Sequence, residues 1–306
     1  MSEVPRGRIF SRWNGGNLVI YPGDCPGNMY FVDATNGAST NTGESWEQAL
    51  DTIDGAVNKC TANNGDIIVV APYHAENLAA DSAVDIDVAG VTVLGVRHGR
   101  LMPTLTATAA AGDLKLAANN VTIANLRFLG GIDATTGCIE VSGADCAIID
   151  CEYRDSTGQA TDTIITTAAA ERLLIDGYRH IGAAAAGANS AIAIVGAVDG
   201  VEVKNFNIYG NFAVGAIDFR TVASTCAWIH DGLIWTENSA DIAIVDTITG
   251  SSGTIGPNLY IMLQDNAANI TEAVTGATFH LFDNVYVCNL ASEKGMLINW
   301  TASTDA

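Results

Sequence analysis

The chain has 306 residues, 48% hydrophobic and only 16% charged, and its 14 basic and 34 acidic residues give a formal charge of -20. That charge repels a phosphate backbone, and with no basic patch of interleaved aromatics to offset it, nucleic acid is disfavoured as a partner. No window approaches the ~18 apolar residues of a membrane span, and seven Cys at irregular spacing, without a C-x-x-C pair or a Cys/His cluster, suggest neither a zinc site nor a disulfide framework.

Residues 1–28 do not share the repeat that organises most of the chain. Residues 1–8 have no apolar signal core, so a protein made in a reducing cytoplasm without a secretion signal is expected. Arg6, Arg8 and Arg12 are three of only 14 basic residues, beside Ile9, Phe10 and Trp13. The segment reads as an arm with two roles left open. It covers the end of the fold, or it docks on an acidic partner through Arg6, Arg8, Phe10, Arg12 and Trp13.

Residues 29–66 read as a strand and a helix. Met29-Tyr30-Phe31-Val32-Asp33 is strand-like, and Ser45 with Gln48 has the spacing of a capping box. The helix it opens carries Trp46, Ala49, Leu50, Ile53, Ala56, Val57 and Cys60 on one apolar stripe. Gly65-Asp66 then turns into Ile67-Ile68-Val69-Val70-Ala71-Pro72. The stretch from Tyr30-Phe31-Val32-Asp33 through Gly43-Glu44-Ser45-Trp46 to this last strand resembles the capped entry of pectin-lyase-like right-handed β-helices, an entry common in bacteriophage proteins. The resemblance covers residues 29–77 by motif and the rest by repeat pattern alone, and fold does not carry function.

Beyond residue 66 one pattern recurs: apolar, x, apolar, x, Asn/Asp/Gly, x, x, apolar. It is clearest in Asn120-Val121-Thr122-Ile123-Ala124-Asn125-Leu126-Arg127-Phe128. Its anchor falls at Gly95, Asn125, Asp150, Asp176, Asn205, Asp231, Leu263 and Asn289, in steps of 25 to 32 residues. A leucine-rich repeat needs a leucine ladder and a helix or turn per unit, and neither is present. A second strand with apolar residues at alternate places precedes most anchors, at 138–141, 164–167, 191–194, 216–219 and 242–245.

The fold expected is therefore all-β: a single-stranded right-handed parallel β-helix of about eight or more coils over 67–306, with an N-terminal arm (1–28) and a cap strand and capping α-helix (29–66). The anchors Asn125, Asp150, Asp176, Asn205, Asp231 and Asn289 are residue types that tolerate a left-handed backbone, so they read as a structural turn ladder. Cys146 and Cys151 fall where other coils place Val121 and Leu126, so they read as core thiols.

The resemblance implies, for an enzyme, carboxylates of neighbouring coils several ångströms apart on an outer face. Asp150 and Asp176 would repel if stacked, and Asp218 and Asp246 lie near Arg220. His230-Asp231-Gly232 has a hydrolase flavour, but the paired Asp-Asp and basic dyad are missing. His74, His98, His180 and His280 are scattered. Neither a catalytic set, nor a metal site, nor a cofactor is assigned.

Residues one and three before each anchor should point outward. They read Thr122/Ala124, Ala147/Ile149, Leu173/Ile175, Glu202/Lys204, Trp228/His230, Tyr260/Met262 and Tyr286/Cys288, and most are apolar. A continuous apolar stripe calls for a cover. Self-association is the expectation, as a homotrimer joined through Ile149, Leu173, Ile175, Trp228, His230, Tyr260, Met262 and Tyr286. The function then expected is a structural virion protein, a decoration protein on the head of a tailed bacteriophage, bound to the major capsid protein or another virion scaffold through its arm or cap end. The alternative is a tailspike-type protein that binds or depolymerises a surface polysaccharide, and a non-catalytic carbohydrate-binding module using Trp228 and Trp235 is a third reading.

Overall fold

The structure is a computed structural model. It describes residues 27–155, 160–182, 188–236, 243–246, 248–263, 278–281 and 284–289, together with the strands Arg12–Asn14, Asn17–Val19 and Lys294–Leu297.

Three parallel sheets run the length of a β-solenoid. The first holds ten strands from Met29–Val32 to Thr278–Leu281, and the third holds seven from Val84–Ile86 to Ile244–Asp246. The second also holds ten, nine parallel strands from Ala75–Leu78 to Val285–Asn289 and a tenth, Lys294–Leu297, which pairs antiparallel. One coil therefore gives a strand to each sheet in turn, as Thr122–Ala124, Arg127–Gly130 and Ile139–Val141 do. About seven such turns stack in register, with neighbouring strands at the ~4.8 Å spacing of a sheet. The chain is all-β, as the repeat implies.

Alternation decides what fills the interior. The first sheet sends Val93, Ile123, Ile148, Ile175, Val203 and Ile229 inward, and the third sends Leu114, Ile139, Ile164, Ile192, Ile217 and Ile244. All are buried in one continuous core. Cys146 and Cys151 lie in that core, aligned with Val121 and Leu126, and burial pushes both thiols up, Cys151 to about 12.

The corner between the first and second sheets is a left-handed turn. Asn125, Asp150, Asn205 and Asp231 have φ of 57°, 50°, 53° and 50°. Asp176 does not share this geometry. It ends the strand Leu174–Asp176, and Gly177 makes the turn at φ 76°. The longer step into this coil moves the anchor by one residue, and glycine takes the left-handed region without steric cost. Leu173 and Ile175 are consequently core residues, while Leu174 and Asp176 point outward.

Asn289 is also not a corner residue. Leu263 and Asn289 pair with each other at the ends of second-sheet strands. The corner continues instead through Asn258 and Asn284, with φ of 55° and 68°. Strands of two sheets share the same alternation, so the pattern alone does not say which sheet a copy belongs to. At Gly95 the requirement is space rather than φ, because a Cβ there would collide with the Asn125 carbonyl oxygen.

The cap is not one long helix. A 3-10 turn at Trp46–Gln48 and a five-residue helix at Ile53–Val57 flank Leu50, which returns to the sheet edge by bridging Val32. Ser45 makes no capping bond, whereas Thr52 Oγ1 accepts one from the Gly55 N–H at 3.1 Å. Ala49, Leu50, Ile53, Ala56 and Val57 are buried as the stripe implies, but Trp46 is exposed.

Candidate functional site

The outer faces carry the chemistry. On the second sheet the outward positions of successive coils form two rows. One runs Arg127, Glu152, Arg179, Asn207, Leu233, Tyr260, Tyr286 and the other Leu129, Arg154, Ile181, Tyr209, Trp235, Met262. The face therefore changes character along the axis, from charged to aromatic.

At its charged part three guanidinium groups converge on one carboxylate. Glu152 accepts from Arg127 Nε at 2.8 Å, Arg154 Nε at 2.6 Å and Arg179 Nη1 at 3.1 Å. Burial works against the charge on Glu152, but the arginines hold its carboxyl below the usual range. Arg127 also donates to the Gly99 carbonyl. Arg154 and Arg179 remain 41% and 53% exposed, so the cluster offers positive charge to solvent in a chain of net -20.

At its aromatic part Tyr209 meets Trp235 edge to face at 5.7 Å, and Tyr260 stacks on Tyr286 at 4.9 Å and 10°. Tyr260 and Tyr286 are 50% and 37% exposed.

Trp228 and His230 lie on the first sheet, not beside Tyr260, Met262 and Tyr286. The residues expected on one stripe thus divide into a first-sheet group (Ile149, Trp228, His230), a second-sheet group (Tyr260, Met262, Tyr286) and two core residues (Leu173, Ile175). The cause is the register shift at residues 263 and 289 together with the one-residue phase shift at 176.

Within the first-sheet group, His230 has polar surroundings. His230 Nδ1 lies 2.6 Å from Asp231 Oδ2 and Nε2 lies 3.2 Å from Glu202 Oε1, with the ring stacked on Trp228 at 4.1 Å. Lys204 Nζ reaches Glu202 at 2.9 Å, and Asn258 Nδ2 donates to Asp231 Oδ1 at 2.8 Å.

On the third sheet Asp218 and Asp246 are not partners. Asp218 aligns with Val245 and faces outward, whereas Asp246 aligns with Phe219 and faces inward. Arg220 binds Asp218 at 2.5 Å and Asp162 at 2.8 Å, so the Asp218 carboxylate sits in an ion-pair network. Burial raises Asp150, His98 opposes this, and Asp176 adds to it. No group of three or more His, Cys, Asp or Glu that could hold a metal is present among the described residues.

Sequence reasoning missed the arginine cluster and Tyr209; it named Trp235, but with Trp228, which lies on the first sheet, whereas the neighbour of Trp235 is Tyr209. The signal available was the alternation in Arg127-Phe128-Leu129, Glu152-Tyr153-Arg154 and Asn207-Ile208-Tyr209, which marks a separate strand after each corner. Arg6, Arg8 and Phe10 lie outside the described residues. Arg12 and Trp13 fall on Arg12–Asn14, which pairs antiparallel with Asn17–Val19.

No protein-family model and no curated protein matches the sequence. Among solved structures the chain is similar to a rhamnogalacturonan lyase, with TM-score 0.48 and 10% identity over 77% of this chain and 74% of that one. It is also similar to a GH136 lacto-N-biosidase from Eubacterium ramulus, with TM-score 0.39 and 11% identity over 85% and 67% of the two chains.

Proposed function

We propose that this β-solenoid binds a polysaccharide along the outer face of its second sheet. The observation that carries the reading is the register of rings on consecutive coils: Tyr209 and Trp235 in one row, Tyr260 and Tyr286 in the other. Coils repeat every ~4.8 Å, close to the length of one sugar residue in an extended chain. A glycan laid along the axis would then meet an aromatic surface at each step. Rings of this kind carry an apolar face and polar tips, which suits sugars. The cluster of Arg127, Arg154 and Arg179 continues the same surface and would receive carboxylate or sulfate groups on the chain.

Affinity electrophoresis against a panel of neutral and acidic polysaccharides tests this. Retardation by at least one glycan, reduced by Trp235→Ala and Tyr260→Ala, is expected. Unchanged mobility in every gel, or variants that behave as wild type, rejects the surface.

The same exposed Tyr260 and Tyr286 rings favour a second reading, burial against further copies of the chain. A trimeric mass by light scattering that falls to the monomer in Tyr260→Asp would support it. Head binding by that trimer would then support the virion role.

A further inference from the structure

We propose that a depression at the N-terminal end of the coil stack, walled by Asp33, Asn36, Trp46, Glu47, Ala71 and Pro72, binds a cationic amine carried on a sugar-sized ligand. This site is remote in sequence from the second-sheet rings and does not rest on the polysaccharide reading.

The depression is shallow and open to solvent, with a volume of about 450 Å³. Three separate pieces build its walls. The loop after Met29–Val32 is folded by Asp33, whose Oδ1 accepts from the N–H groups of Thr35 and Asn36 at 2.9 and 3.3 Å. Its Oδ2 accepts from Asn36 Nδ2 at 2.8 Å.

His74 pins that loop to the turn holding Ala71 and Pro72. The Ala34 N–H donates to His74 Nδ1 at 3.0 Å, which leaves the ring proton on Nε2 to be donated to Glu76 Oε2 at 3.0 Å. Glu76 in turn accepts from the Ile53 N–H at 3.1 Å, tying the assembly to the helix Ile53–Val57. The third wall is the 3-10 turn, where Trp46 leans on Phe31 at 4.7 Å and 56° and still exposes 42% of its surface.

The lining is one-sided in charge. Asp33 and Glu47 both stay ionised. Burial opposes the charge on Asp33, but the Asn36 side chain and the Thr35 and Asn36 N–H groups hold its carboxyl below the usual range. At Glu47 its own backbone N–H and the Ser45 side chain do the same. Neither carboxylate forms an ion pair with Lys or Arg among the described residues, unlike Glu140 with Lys115 or Asp145 with Arg172.

Two carboxylates without a Lys or Arg partner, beside an exposed indole, attract a cation by charge and by the ring quadrupole. An anionic sugar would be repelled, and a neutral one would gain neither attraction. The Asn36 amide supplies a further polar contact for ring hydroxyls. The cap region thus selects for a charge opposite to that favoured by the arginine cluster.

The test is a fluorescence titration of the full chain with glucosamine and, separately, with N-acetylglucosamine, which has the same ring without the charge. Saturable quenching by glucosamine, absent in Trp46→Phe and absent with N-acetylglucosamine, is expected. Glu47→Gln, at an exposed position that folding tolerates, should weaken glucosamine about two- to fivefold. No response to glucosamine overturns the proposal. Equal responses to both sugars, or an unchanged affinity in Glu47→Gln, overturns the cation selectivity.

Discussion

Two buried titratable side chains give the fold opposite responses to acid. His180 is fully enclosed between Tyr153, Tyr178 and Phe212, and burial lowers it to about 3. The unfolded chain therefore binds a proton at this ring that the native state refuses, so the stability it contributes is whole above its unfolded value near 6.5 and is lost as pH falls towards 3. Asp113 runs the other way. Burial pushes its carboxyl up to about 6, although the Ser82 N–H donates to it at 2.5 Å. Here the native state holds the proton longer, and stability is lost as pH rises from about 4 to about 6. Asp113→Asn should remove that loss. Its urea midpoint should rise steadily from pH 4 to 6.5, with the slope left by His180, while wild type changes less across the same window. Parallel curves for the two proteins would mean that Asp113 is not held protonated.

At the level of the element, the corner at Gly177 is the sharpest test of register. Gly177 has φ 76°, and a Cβ there would collide with Asp150 Oδ1. Gly177→Ala should cost about 2 kcal/mol or more by denaturant unfolding, whereas Asp176→Asn, outward and half-buried, should cost little. Neighbouring positions divide in the same way. Ile175→Asp buries a charge in the core and should cost more than about 4 kcal/mol, while Leu174→Asp should stay within about 1 kcal/mol. In the cap, Thr52→Ala should cost about 1 kcal/mol and Ser45→Ala much less, because only Thr52 caps a helix. Equal losses within any of these pairs would place the residues on the wrong faces.

These elements also mark what the residue pattern conveys and what it does not. Alternation identifies the strands, because half-buried strands must place apolar residues at every second position. Asn and Asp identify four corners, because few other side chains accept a left-handed backbone. Alternation is silent on which of three sheets a strand joins, so it sets the copies at residues 263 and 289 one corner too far along the coil. The candidate surface suffers most from this. Tyr209 and Trp235, and likewise Arg127, Arg154 and Arg179, stand 25 or more positions apart, and only the stacking of coils brings them together.

For the whole molecule, the proposed binding of an acidic glycan has to be reconciled with a net charge of -20. The answer proposed is segregation. Asp85, Asp113 and Glu140 gather around the first strands of the third sheet, where Lys115 is the cation that acts on them, while Arg127, Arg154 and Arg179 face outward on the second sheet. An acidic glycan would then be steered to one face and repelled from another. That attraction is between partly exposed charges and is screened over about 8 to 10 Å at ordinary salt, whereas contact with the rings is not. Retention of an acidic polysaccharide should therefore fall as salt is raised, and Arg154→Ser should flatten that dependence. Tyr260→Ser should lower retention of acidic and neutral glycans by a similar factor at every salt concentration. If Arg154→Ser leaves the salt slope unchanged, the arginine cluster only pairs with Glu152 and the aromatic rows alone recognise the chain.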